Sequence, residues 1–131
     1  EIHVEAIIAA ITEAQARAAT PPATGGGPYA PTPQTASTIL TGDFNMRPEA
    51  VARLRLEQAS AGYDPMVDVW RVLNPHAPHP TSFCIADQTY GEPHCADYVF
   101  VSRDLAPRLR AIAYDQDTRL SDHQPVVVDF D

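Results

Sequence analysis

Apolar positions follow a helical period near the N-terminus and shorter strand-like runs further on. Over residues 2–19, Ile7, Ile8, Ile11, Ala14 and Ala18 recur at helical spacing and predict an amphipathic helix that ends before Pro21-Pro22. Residues 37–42, "STILTG", read as a short buried strand. Pro48 and Glu49 then open a second helix, with Ala52, Leu56 and Ala59 on one face and Gly62 as its stop. Asp64-Pro65 reads as an N-cap and first-turn pair for a third helix, in which Met66, Val69, Trp70 and Leu73 fall at i, i+3, i+4 and i+7. The proline-broken "NPHAPHP" ends it. Downstream, "DYVFVS", "RAIAYD" and "PVVVDF" read as strands, the last two as neighbours, with a helical turn fitting at 104–109. A strand followed by helices implies α/β layering.

One segment breaks the pattern. Residues 20–36 are mostly Pro, Gly, Thr and Ala, a composition that cannot offset its own ordering entropy and predicts a mobile loop. Its "GGGP" is no phosphate cradle, because the Lys-Ser/Thr that completes such a loop is absent.

Three polar placements call for a reason. In "TILTGDFNMRP" the alternation of an extended chain puts Asp43 and Asn45 on one side and Phe44 on the other. Asp and Asn are also common turn residues, so this motif alone fits a turn as well as a site. Asp97 opens "DYVFVS" on the face of Val99 and Val101, and a carboxylate on an apolar face needs a partner. Imidazole is the natural one, since a buried Asp fixes a histidine tautomer; an edge-strand Asp in water is the plainer alternative. Asp122-His123 precede the last strand, and adjacent residues serve one site only from a loop, where an exposed Asp-His turn is the cheaper reading. A Ser-His-Asp triad is set aside, as Ser121, Asp122 and His123 are contiguous and no G-x-S-x-G occurs.

Composition narrows the classes. A chain of 131 residues, 44% hydrophobic and 20% charged, is one ordinary domain or a piece of a larger one. Its apolar runs fall far short of the ~20 residues needed to cross a bilayer. Nine basic against seventeen acidic side chains leave a net charge of −8, which disfavours nucleic acid as a partner without removing it. Two cysteines, Cys84 and Cys95, are too few for a disulfide scaffold and read as reduced core thiols, which tilts weakly toward the cytoplasm. Glu1 is no initiator methionine, so a removed signal peptide stays open.

In order, "GDFN", "ADYVFVS" and "SDHQPV" resemble the C-terminal half of the endonuclease/exonuclease/phosphatase superfamily, the DNase I-like metal-dependent phosphoesterases. "VDVWRVLNP" and the "TSF" after it resemble the segment between the second and third motifs in bacterial members. The resemblance implies an α/β (α+β) fold, a four-layer αββα sandwich of two mixed β-sheets with helices outside and a site at one rim. It implies that Asp43 and Asn45 orient or deprotonate the attacking water and hydrogen-bond the phosphate. Asp122, with Asp43, is implied as a metal carboxylate, His123 as the phosphate-contacting or general acid/base residue, and Asp97 as the residue that orients it.

The implied cofactor is Mg²⁺, with Mn²⁺ as a substitute, and the implied substrate is a phosphoester of unassigned class. The family's first-half motifs are missing, so the expectation is a C-terminal part of one domain, weakly active alone and associating with its N-terminal half or with itself. A non-catalytic domain of the same fold, binding phosphorylated ligands or a protein, is the second reading. Zinc at His76, His79, Cys84, His94 and Cys95 is a minor one, as the spacing matches no standard finger. A Cys84–Cys95 disulfide is another.

Overall fold

A computed structural model describes residues 2–20 and 35–131. The body of the Pro/Gly-rich loop expected over 20–36 lies outside the described residues. The chain is mixed α and β. Helix α1 (Ile2–Ala19) forms as its spacing predicts and buries Val4 and Ile11. Strand β1 (Ile39–Asp43) leads to a short helix α2 (Val51–Leu54), continued by a 3-10 turn (Arg55–Glu57). Then come β2 (Val67–Asp68), α3 (Val69–Leu73), β3 (Asp97–Val101), β4 (Leu109–Tyr114) and β5 (Val126–Phe130). No helix among the described residues is long and apolar enough to cross a membrane.

The strands make two small sheets, one in the order β1-β3-β2 and one pairing β4 with β5. Every strand pairing among the described residues is antiparallel, where the resemblance implies mixed sheets. The reason lies in β3: β1 and β2 run parallel to each other but flank β3 on opposite sides. The strand–helix–strand order is therefore met without parallel hydrogen bonding.

Strand β3 is the hinge of the core, buried on both faces. Tyr98 and Phe100 join Val4, Ile11, Leu56, Tyr63, Met66, Cys95 and Tyr114 in one cluster. Val99 and Val101 join Val69 and Leu109 in a second. Among the described residues β1 pairs on one side only and is mostly exposed, so the expectation of a buried strand fails there. Leu40 is half-buried and Ile39 exposed.

Two helical expectations are also corrected. The second helix stops at Glu57, so Ala59 is exposed beyond it, and its buried residues are Leu56 and Arg53. The third begins at Val69, with Asp68 rather than Asp64 as its N-cap, accepting the Arg71 N–H at 3.2 Å. A two-residue strand precedes it, and Met66 enters the core from there.

Arg53 is the unexpected element of that core. Its side chain is 1% exposed, donates to Asp68 Oδ2 at 2.8 Å and to the Pro48 carbonyl at 2.7 Å, and pairs with Glu57 at 3.0 Å. The guanidinium also lies over the Tyr98 and Phe100 rings at 5.2 and 5.8 Å. His79 Nε2 sits 2.9 Å from the same Asp68 oxygen. A buried charge needs such a set of partners, and this one lies directly against the central strand.

Candidate functional site

Strand register builds the site. In the antiparallel β1–β3 pair, Asp43 stands directly across from Asp97. Like charges at opposed positions destabilise a sheet unless something offsets them. His123 supplies the offset, with Nδ1 at 2.9 Å from Asp97 Oδ2 and Nε2 at 3.8 Å from Asp43 Oδ2. With Asp97 ionised, an acceptor only, Nδ1 carries the proton between them.

Asn45 reaches Asp43 by a turn rather than by strand alternation. Regular pairing ends at Asp43, and Asn45 takes φ 50°, a left-handed conformation that Asn adopts more readily than most residues. Its backbone N–H then donates to Asp43 Oδ1 at 2.8 Å and its side-chain amide to Oδ2 at 2.9 Å. Phe44 points into the core against Tyr98 and Phe100 and anchors the turn. "GDFN" thus forms the turn that its Asp and Asn allowed, with the Asp43 carboxylate held by Asn45.

His123 is held on its loop by the segment 82–84, which straps it to the strand carrying Asp97. Cys84 N–H donates to the Asp122 carbonyl and Gln124 N–H to the Ser82 carbonyl, each at 2.8 Å. On the other side, Ser82 and Phe83 N–H both donate to the His94 carbonyl at 3.0 Å. The Phe83 ring lies 4.8 Å from that of His123, centroid to centroid. Cys84 has φ 56°, so both non-glycine residues with positive φ among the described residues, Asn45 and Cys84, lie beside the site. Strain of this kind persists only where surrounding contacts enforce it.

The electrostatics follow from the geometry. Partial burial of the His123 ring works against its charge. The hydrogen bond and negative charge of Asp97 outweigh that, aided by Asp43 and Asp122, and raise its pKa above the ordinary 6.5. The side chains of Asp43 and His123 are 34% and 32% exposed against 17% for Asp97, so water reaches the first two while the third is backed by protein.

Of the residues singled out in the sequence, Asp43, Asn45, Asp97 and His123 are brought together. One ligand atom each from Asp43, Asp97 and His123 lie within 4.8 Å of one another. Asp122 is outside that group. It lines an adjoining cleft of about 390 Å³ with Ala86, Asp87, Tyr90, Arg119, Leu120 and Ser121. Cys84 and Cys95 are buried and unlinked. The zinc set does not assemble among the described residues: His79 is committed to Asp68, and no ligand group forms with the two thiols.

Ser82 is the residue that pattern reading missed. It is fully buried, and its hydroxyl donates to Asp97 Oδ2 at 2.7 Å. Nothing in "HPTSF" marks it, because one serine between Thr81 and Phe83 carries no periodicity. Comparison with known proteins finds no family model that matches the chain and no curated protein similar to it.

Proposed function

We propose that the chain carries the hydrolytic centre of a divalent-metal-dependent phosphoesterase, on the DNase I-like αββα fold that its three motifs resemble. One observation carries the reading: a histidine set between two carboxylates that face each other across a strand pair, bonded to Asp97 at 2.9 Å and 3.8 Å from Asp43. A sheet gains no stability from that arrangement that an apolar pair would not give it more cheaply. A proton-transfer site needs it.

The roles follow atom by atom. Asp97 accepts from Nδ1 and holds the ring, leaving Nε2 toward Asp43 and solvent. The 3.8 Å between Nε2 and Asp43 Oδ2 exceeds a hydrogen bond, so the facing groups remain available to a third. Asp43 takes a proton from the attacking water, and His123, whose charged form its neighbours favour, donates to a phosphoryl or leaving-group oxygen. Asn45 fixes the Asp43 carboxylate; its second amide hydrogen can donate to the phosphate and its side-chain carbonyl can accept from water.

The donor set fits a hard cation. Asp43 is open to water, and each of its oxygens receives one hydrogen bond from Asn45, which leaves lone pairs over. Mg²⁺ prefers such carboxylate oxygens and retains several waters, so Asp43 would hold it with water completing the shell; Asp122, the second carboxylate that the resemblance implies, stands outside the Asp43–Asp97–His123 group. Bound there, Mg²⁺ or Mn²⁺ would neutralise phosphoryl charge.

Release of p-nitrophenol from bis(p-nitrophenyl) phosphate in Mg²⁺ tests this. Asp43→Asn and His123→Ala are each expected to slow it by about 10²-fold or more. Rates unchanged by both substitutions would contradict the proposal. Phosphate binding without turnover would favour the non-catalytic reading instead.

A further inference from the structure

We propose that Ser82 is the positioning residue of this site, setting the Asp97 carboxylate so that its Oδ2 faces His123. The inference rests on the hydrolytic reading for its functional meaning, and on geometry for its substance. The Ser82 hydroxyl has one hydrogen to give and two lone pairs, and all three are used. It donates to Asp97 Oδ2 at 2.7 Å and accepts the N–H groups of Ala96 and Asp97 at 2.9 and 3.0 Å. The oxygen that receives the Ser82 hydrogen is the one that receives His123 Nδ1. A serine serving the backbone alone would have no cause to reach that atom.

The main chain of Ser82 ties the same two pieces together. Its N–H bonds the His94 carbonyl, close to the strand of Asp97, and its carbonyl takes the N–H of Gln124, next to His123. One buried residue therefore sets the distance between the two segments and the rotation of the carboxylate between them. Without the hydroxyl, the Ala96 and Asp97 amides lose their acceptor, which is costly at a buried position. The Asp97 carboxylate, bonded to the same hydroxyl, is an acceptor that can replace it, and turning toward those amides draws it off His123.

The test reads the Asp97 side chain directly, from three-bond NMR couplings that report its χ1, in the unaltered protein and in Ser82→Ala. A single rotamer is expected with Ser82, and averaging among rotamers with alanine. In Mg²⁺-dependent hydrolysis, kcat is expected to fall by about 10- to 100-fold with KM little changed. A single, unchanged Asp97 rotamer in folded Ser82→Ala would overturn the proposal. Should alanine prevent folding, Ser82→Cys, a weak donor of similar size, is read in the same way, and an unchanged rotamer there overturns it equally. If Asp97 is released but neither protein turns over a phosphodiester, the hydrolytic reading fails and the positioning role stands.

Discussion

Asp43 and Asp97 oppose each other across β1 and β3, and His123 lies between them, bonded to Asp97 at 2.9 Å and 3.8 Å from Asp43. Twenty-six positions separate the histidine from its nearer carboxylate, so tertiary structure alone makes the pair. Loop 82–84 closes the span.

His123 should therefore hold its proton to a pH above 6.5, because Asp97, Asp43 and Asp122 together outweigh the cost of its partial burial. A raised folded-state pKa contributes stability that is fully present below the unfolded value and fades as pH rises through the folded one. Histidine NMR titration should place the ring above 6.5, and Asp97→Asn should bring it down. A ring titrating at or below 6.5 in the unaltered protein would contradict the pairing.

Asn45 combines a backbone and a chemical role that two substitutions separate. At φ 50° glycine suits the turn and alanine does not, so Asn45→Ala should lose about 1 kcal/mol more stability than Asn45→Gly. Both lack the amide that fixes Asp43, and both should lose about 10²–10³ in hydrolysis rate. Urea melts and phosphodiester assays on the pair read the two effects apart; a glycine variant of full activity would remove the amide from the mechanism.

How much of this was legible depends on which residue is asked. Helix α1 was, since its helical period runs over 18 residues, and strands β3 to β5 were, since their short runs are dense in apolar residues. Asp97 was too: a carboxylate on the face of Val99 and Val101 demanded a partner, and His123 is that partner. Arg53 was not, because an arginine on a short helix reads as a solvent-facing charge until Asp68 and the Tyr98 and Phe100 rings surround it. The third helix was misplaced because Met66, Val69, Trp70 and Leu73 satisfy helical spacing even though Val67–Asp68 pair as strand. Edge position, which exposes β1, is a property of the sheet and leaves no mark in a five-residue run.

The Arg53–Asp68–His79 set should behave as a structural network. Burial opposes the Asp68 charge, but the hydrogen bond and charge of His79, the Arg71 amide and Arg53 overcome it and lower its pKa below the ordinary 3.8. A depressed folded-state pKa gives stability that is present above 3.8 and lost as pH falls through the folded value. Asp68→Ala leaves the buried Arg53 with Glu57 as its remaining charged partner and His79 without its carboxylate, and should cost about 3 kcal/mol in urea unfolding. Replacing both by apolar residues, Arg53→Met with Asp68→Leu, should recover most of that loss. A single substitution within about 0.5 kcal/mol of the unaltered protein would show the network to be dispensable.

The most direct test of the site is a double-mutant cycle on kcat/KM for Mg²⁺-dependent phosphodiester hydrolysis, with Asp97→Ala, His123→Ala and the two combined. Groups that act as one unit are strongly non-additive, so the double variant should be no slower than His123→Ala alone. Losses that multiply would mean that Asp97 and His123 work separately, and would contradict the account.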